Sequence, residues 1–192
     1  WARSAIQLYQ NSGWFNTDPA GIEHTGVMVA MHPISQILGA WQSGIRDFDM
    51  HVAYDGLKKM MLTPPQKYEG GGTVGVENLV PYMEYGYIPA GKGTVSNTME
   101  YAYDDWCLGQ MAHLLGKEDD FHFFDKRSDN WYNLFDAESG FIRPKDEHGK
   151  WIEPFDPYHT PGFTEGNAFN YSWFVPHNPE KLIRMVGKER FV

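Results

Sequence analysis

The sequence is poor in cysteine, in long apolar runs and in positive charge. One cysteine, Cys107, among 192 residues excludes an internal disulfide and a cysteine metal cluster. No apolar run approaches the ~20 residues that a membrane-spanning helix needs. Sixteen Lys and Arg residues against 25 Asp and Glu residues give a net charge of −9. That balance argues against nucleic acid as a partner, because phosphate binding needs clustered basic residues.

Aromatic residues are abundant and make up 16% of the chain. Together with 42% apolar and 21% charged residues, they describe a globular protein. An acidic, aromatic-rich surface suits sugars as ligands, although the same rings could instead fill a large aromatic core. The chain starts Trp1-Ala2-Arg3 and is helical in pattern from there. We therefore expect a segment of a longer protein.

Helical periodicity runs through most of the chain, with little strand signal. The predicted helices span residues 2–12, 25–43, 48–62, 76–85, 96–115, 119–135, 167–175 and 179–186. Residues 136–163 are rich in proline and glycine, and predict an irregular stretch or a hairpin with arms at 141–143 and 151–152. Helix after helix with such connections predicts an all-α fold of paired antiparallel helices, as in an α-solenoid or an α/α toroid.

Glu165 is the first candidate for chemistry. It lies among Phe163, Phe169, Tyr171 and Trp173 in sequence, and apolar surroundings would raise the pKa of its carboxyl by desolvation. A raised pKa is what a general acid needs near neutral pH. The alternative is an ordinary carboxylate at the start of a helix, where the helix dipole stabilises negative charge.

A second acidic group lies in the predicted helix 96–115, which Ser96 is expected to cap. Glu100 and Asp104 are four residues apart and share one face of that helix. They could bind sugar hydroxyls or help to hold a cation. Alternatively, one Asp in this stretch is solvated and another bonds a neighbouring helix. The eight histidines show no zinc-binding spacing, and the sequence contains no P-loop and no nucleophile elbow.

Several motifs, in one order along most of the chain, are similar to glycoside hydrolase family 92, a family of calcium-dependent, exo-acting α-mannosidases. The segment 96–107, Ser-Asn-Thr-Met-Glu-Tyr-Ala-Tyr-Asp-Asp-Trp-Cys, carries the resemblance most clearly. The other matching segments are residues 44–49 (GIRDFD), 86–90 (GYIPA), 141–144 (FIRP), 164–168 (TEGNA) and 175–177 (VPH).

The resemblance implies that residues 1–192 form a single partial domain, a segment of an (α/α)6 catalytic barrel that follows a β-sandwich. It implies inverting hydrolysis of terminal mannose from glycans, with α-1,2 linkages as the expected substrate, and Glu165 as general acid. The residues expected to bind substrate are Asp104, Asp105, Trp106, Asn167 and His177. The catalytic base and most ligands of a Ca²⁺ cofactor are expected outside this segment, and no metal ligand is assigned within it.

The resemblance further implies that the remainder of the catalytic domain is a partner of this segment, and that the protein is secreted, periplasmic or on the cell surface. Where the family usually has an aspartate, this chain has Met31, which points to an altered specificity. Two other interpretations stay open at this stage. One is a helical-toroid glycosidase of another specificity, and the other is a non-catalytic glycan-binding scaffold.

Overall fold

The computed structural model describes residues 1–17, 29–69 and 71–191, and helices dominate them. The α-helices are Ala2–Ser12 (α1), Pro33–Gln42 (α2), Met50–Leu62 (α3), Leu79–Tyr85 (α4), Val95–Leu114 (α5), Glu118–Ser128 (α6), Ala168–Tyr171 (α7), Pro179–Val186 (α8) and Lys188–Phe191 (α9), with a 3-10 helix at Asp129–Leu134. The strands are Gln66–Lys67 (β1), Thr73–Val74 (β2), Phe135–Asp136 (β3) and Phe141–Ile142 (β4). This content agrees with a mainly helical fold, and the complete (α/α)6 toroid stays a prediction. Within these described ranges, no helix has the length and apolarity to cross a membrane.

Capping residues explain the helix boundaries that the sequence predicts well. Asp49 precedes α3, and its Oδ1 accepts a hydrogen bond from Val52 N at 3.0 Å. Asn178 does the same for α8, where its Oδ1 accepts from Lys181 N at 3.2 Å. Such side chains satisfy backbone N–H groups that the first helical turn leaves without partners. Gly13 ends α1 with a φ of 78°, which glycine adopts at little cost.

Two predicted helix starts were wrong. The helix expected at 25–43 begins only at Pro33, because proline suits the first turn of a helix better than its interior. Residues 29–32 are not helical, and 18–28 lie outside the described residues. Ser96 was expected to cap the next long helix, but α5 begins at Val95, and Thr94 Oγ1 accepts the hydrogen bond from Asn97 N at 3.3 Å.

Later elements are shorter than the periodicity predicted. The helix expected at 119–135 changes to a 3-10 helix at Asp129, and the one expected at 167–175 keeps only α7. A hairpin does form, but β4 pairs with β3, with Phe135 opposite Ile142. Trp151, expected in the second arm, makes a single bridge to Lys145.

The chain divides into two compact units, each with its own buried side chains. The first unit comprises Trp1–Leu79 and Asp104–Arg127, and in it α1 contacts both α2 and α3. Its largest fully buried side chains are Tyr54, Phe15, Phe124, Met31, Ile34, Ile37, Leu57, Met60 and Met61. The prediction of one partial domain over residues 1–192 stays a prediction.

The second unit comprises Val80–Tyr103 and Ser128–Val192. Its core is one apolar cluster formed by Tyr87, Val95, Met99, Ala102, Trp131, Leu134, Phe135, Ile142, Val175, Leu182 and Val186. Residues of α5, the 3-10 helix, the β3–β4 hairpin and α8 thus share a core. This core positions the first turns of α5 and the segment that carries Glu165.

Candidate active site

Hydrogen bonds join the segment before Glu165 to the start of α5. Val95 N donates to Gly162 O at 2.7 Å, and Thr164 N donates to Ser96 Oγ at 2.9 Å. The first N–H groups of a helix have no partner within it. The bond from Val95 N to Gly162 O satisfies one of them. Two motifs far apart in sequence, at 94–101 and 162–167, are therefore neighbours in space.

Glu165 directly follows this hydrogen-bonded segment and has a backbone φ of 52°. A non-glycine residue in the left-handed region is uncommon, and such residues cluster at functional sites. Its side chain is exposed, so the aromatic burial expected from the neighbouring residues is not found here. Gly166 follows, and a Cβ at that position would lie 3.1 Å from the Tyr171 ring. The glycine thus permits Tyr171 to pack closely behind Glu165.

Tyr171 lies close to the carboxyls of both Glu100 and Glu165. Burial raises the pKa of the Tyr171 phenol, both carboxylates raise it further, and a hydrogen bond with Ser96 opposes them. The phenol therefore stays neutral across the physiological range. A neutral hydroxyl both donates and accepts hydrogen bonds, so Tyr171 is suited to orienting carboxyl groups or sugar hydroxyls.

Glu100 is the carboxyl whose protonation is most altered by its surroundings. Desolvation by burial raises the pKa of Glu100 to about 7. Among the described residues, it forms no hydrogen bond and no ion pair. A mostly buried carboxyl without a cationic partner holds its proton to near neutral pH. The site thus pairs a largely buried acid, Glu100, with an exposed one, Glu165.

Asn167 and His177, two of the predicted substrate-binding residues, belong to the same unit as Glu165. Asn167 caps α7, with its Oδ1 accepting from Asn170 N at 3.1 Å. His177 Nε2 lies 3.1 Å from Ser128 O, and its ring stacks on Tyr103 with centroids 6.1 Å apart. Both side chains are therefore held in place by the protein, and their predicted contact with substrate stays a prediction.

The other predicted substrate-binding residues, Asp104, Asp105 and Trp106, belong to the first unit. Asp104 is buried, and its Oδ2 accepts from Met31 N at 2.7 Å. Asp105 is fully buried and accepts from Arg127 Nε at 2.7 Å. Trp106 is half-buried. Neither Asp is solvated, so this part of the alternative interpretation was wrong. The ion pair of Asp105 with Arg127 shows a structural role for Asp105.

Thr94, Ser96 and Tyr171 shape the site, and the sequence prediction did not assign them to it. Glu100 stood out for its spacing from Asp104, but its burial depends on tertiary packing that spacing does not reveal. Ser96 stood out as a helix cap, and it instead holds the Glu165 segment through Thr164 N. Among the described residues, no group of three His, Cys, Asp or Glu side chains is placed to hold a metal ion.

Comparison with known proteins decides the family. Residues 1–192 match the model of the glycosyl hydrolase family 92 catalytic domain. The chain belongs to glycosyl hydrolase family 92. The resemblance inferred from the motifs around Glu100 and Glu165 is thereby confirmed, and the family 92 match covers both compact units.

Relatives and solved structures agree with this membership. A protein from Arthroderma benhamiae, named "Uncharacterized secreted glycosidase", is 30% identical over 220 residues, covering 97% of this chain and 28% of that protein. A family 92 inverting mannosidase from Bacteroides thetaiotaomicron has a TM-score of 0.85 and 31% identity, covering 96% of this chain and 25% of that one.

A second family 92 α-mannosidase from the same bacterium has a TM-score of 0.84 and 31% identity, covering 99% of this chain and 25% of that one. A further structure of it contains mannoimidazole and has a TM-score of 0.81, 31% identity and the same shares of the two chains. The chain thus spans about a quarter of the length of the relatives that it matches.

Proposed function

We propose that this chain is the acid-bearing segment of an inverting, exo-acting α-mannosidase that removes terminal α-1,2-linked mannose from glycans. Membership of family 92 supports the reaction class. The similar bacterial structures are named as mannosidases, one of them as an inverting mannosidase. A mannose-containing glycan is accordingly the proposed substrate, and the remainder of the catalytic domain is the proposed partner of this segment.

Glu165 is the proposed general acid. In an inverting hydrolysis, a carboxylic acid protonates the leaving oxygen while the bond from that oxygen to the anomeric carbon breaks. A carboxylate about 6.5–9.5 Å away takes a proton from the water that attacks the opposite face. That base is proposed to lie outside residues 1–192, and the proton from Glu165 leaves with the alcohol product.

The backbone of Glu165 is the observation that carries this role. A left-handed φ in a non-glycine residue costs roughly 1–3 kcal/mol and persists only where surrounding contacts hold it. Here Ser96 holds Thr164 on one side, and the Asn167 cap of α7 holds the other. The carboxyl of the residue held in this way is exposed, so a substrate can reach it. An ordinary carboxylate at a helix start would not need this conformation.

We propose two further properties that residues 1–192 do not supply by themselves. The whole protein is proposed to require Ca²⁺, with ligands mostly outside residues 1–192. It is also proposed to be exported to the periplasm, the cell surface or the medium. The relative from Arthroderma benhamiae is named a secreted glycosidase, which supports export.

The experiment is hydrolysis of 4-nitrophenyl α-mannoside and α-1,2-mannobiose by the full-length protein, with calcium and with a chelator. We expect release of mannose in calcium and its loss with the chelator. Release of mannose from another linkage but not from α-1,2-mannobiose would contradict the proposed linkage alone. Absence of release from any α-mannoside would contradict the proposed activity.

A glycosidase of another specificity is the second candidate, and Met31 favours it. Met31 replaces the usual aspartate of the family, its side chain is fully buried, and its backbone N–H is held by Asp104 at 2.7 Å. A buried thioether cannot bind a sugar hydroxyl as a carboxylate does. Release of a different sugar by the full-length protein would favour this candidate.

A further inference from the structure

Two aromatic rings are exposed close to Glu165. Tyr158 and Phe169 keep 56% and 43% of their surfaces exposed. Their rings stack on each other with centroids 5.2 Å apart and an angle of 21° between planes. Large aromatic side chains are normally well buried, and an exposed apolar patch with a polar rim marks a ligand-binding or interaction site. This pair is called the aromatic platform below.

The platform rests on a fixed base. The Phe141 ring lies 6.3 Å from the ring of Phe169 and 6.3 Å from that of Phe155. The Arg143 guanidinium lies 4.3 Å from the Phe155 ring centroid and is held by Asp136 at 2.9 Å. An aromatic surface that is already held in position loses little freedom when a ligand binds.

Polar groups border the platform. Asp156 Oδ1 accepts from Tyr158 N at 2.8 Å, and Asp156 Oδ2 lies 3.0 Å from His159 Nδ1. Asn167 Nδ2 reaches Tyr158 O at 3.5 Å. Flat apolar faces beside carboxylate, imidazole and amide groups fit a pyranose ring, which has an apolar C–H face and hydroxyls at its edge. Carboxylate oxygens have further lone pairs beyond these bonds, and sugar hydroxyls can donate to them, whereas a purely apolar partner cannot.

The platform lies within reach of the proposed acid. Phe169 follows Glu165 by four residues, and four steps of 3.80 Å between Cα atoms span at most about 15 Å. Phe169 N donates to Pro157 O at 3.1 Å, so the chain segment of Tyr158 is attached to the start of α7. The platform is therefore a few sugar rings at most from the bond that Glu165 would protonate.

We propose that the aromatic platform binds the sugar units on the leaving-group side of the bond that is cut. This inference rests on the proposed function and adds a determinant of substrate choice. The platform favours oligosaccharides with a second and third sugar over mannosides with a small leaving group. An exo-acting enzyme holds only one sugar beyond the cut, so every further contact with the glycan falls on this side.

The test compares substrates with and without a leaving-group sugar in the full-length protein. Phe169→Ala and Tyr158→Ala should lower kcat/KM for an α-1,2-mannotriose about tenfold, the scale of one lost aromatic contact. The same variants should leave kcat/KM for α-mannosyl fluoride unchanged, since its leaving group is a single atom. Trp173→Ala is the matched control, because Trp173 is 39% exposed but packs against Phe191. Trp173→Ala should leave kcat/KM unchanged for both substrates.

Equal losses on both substrates would overturn the inference, because they would show a purely structural role. Unchanged rates on both would also overturn it, and would indicate that other parts of the protein cover the platform. If the wild type cleaves neither substrate, the proposed function fails separately. Calorimetric binding of the mannotriose then tests the platform alone. We expect the dissociation constant of Phe169→Ala to be about tenfold higher than that of the wild type. An unchanged dissociation constant would contradict the inference.

Discussion

Glu100 and Glu165 show how one site gives two glutamates different properties. Glu165 is exposed in a left-handed backbone conformation, whereas burial raises the pKa of Glu100 to about 7. The sequence instead favoured Glu165 as the buried carboxyl with the raised pKa, because aromatic residues surround it along the chain. Burial depends on what packs against a side chain. The packing here involves Tyr171 and Ser96, which lie 75 residues apart in the chain.

The first prediction concerns the pH dependence of stability. The folded-state pKa of Glu100, about 7, exceeds its ordinary 4.5. The folded form thus binds this proton more tightly than the unfolded form, and its stabilising contribution is full below pH 4.5 and lost as pH rises to about 7. Glu100→Gln cannot lose a proton, so its stability relative to wild type should rise by roughly 3 kcal/mol between pH 4.5 and 8.

Denaturant unfolding of the full-length protein at several pH values measures this effect. Glu84→Gln is the control, because Glu84 is an exposed residue of α4 and should show no such difference. A constant stability difference between Glu100→Gln and wild type across this pH range would contradict the burial of Glu100.

At the scale of elements, local signals predicted boundaries better than lengths. Asp49 and Asn178 each act on backbone groups three residues away, so the starts of α3 and α8 could be derived from a short window of sequence. The wrong prediction for 25–43 extended an apolar run across Pro33. The 3-10 helix at Asp129–Leu134 packs Trp131 and Leu134 into the core of the second unit, a tertiary constraint that periodicity does not reveal.

The packing of α3 on α1 leads to the second prediction. A Cβ at Gly56 would lie 2.6 Å from Phe15 Cε2 and 2.7 Å from Tyr9 Cε1. Gly56→Ala should therefore lower the free energy of unfolding by about 1–3 kcal/mol through overpacking. At Gly39 in α2, an added Cβ would have no atom within 4 Å. Gly39→Ala should therefore raise the free energy of unfolding by about 0.5–1 kcal/mol. Thermal unfolding of both variants distinguishes the two effects, and destabilisation by both would contradict this account.

At the scale of the whole molecule, the chain is a family 92 segment that spans 25% of the bacterial mannosidases it matches. Motif order was enough to predict the family, because several separate motifs each had to occur in sequence. Only one member of the catalytic pair could be assigned from these residues, and the base is proposed to lie outside them. The complete (α/α)6 barrel likewise stays a prediction.

This division of the catalytic pair predicts the behaviour of residues 1–192 alone. They should hydrolyse no mannoside, because the base is proposed to lie outside them and an inverting reaction needs both carboxyl groups. The measurement is release of mannose from α-1,2-mannobiose over long incubation, with the full-length protein as positive control. Turnover by this segment that disappears in Glu165→Ala would contradict the proposed position of the base.

The most direct test of the central claim is the leaving-group dependence of Glu165→Gln in the full-length protein. If Glu165 protonates the leaving oxygen, kcat/KM for α-1,2-mannobiose should fall by about 10²–10⁴. α-Mannosyl fluoride, whose leaving group needs little protonation, should lose much less, under about tenfold. Equal losses on the two substrates, or no loss on mannobiose, would show that Glu165 is not the general acid.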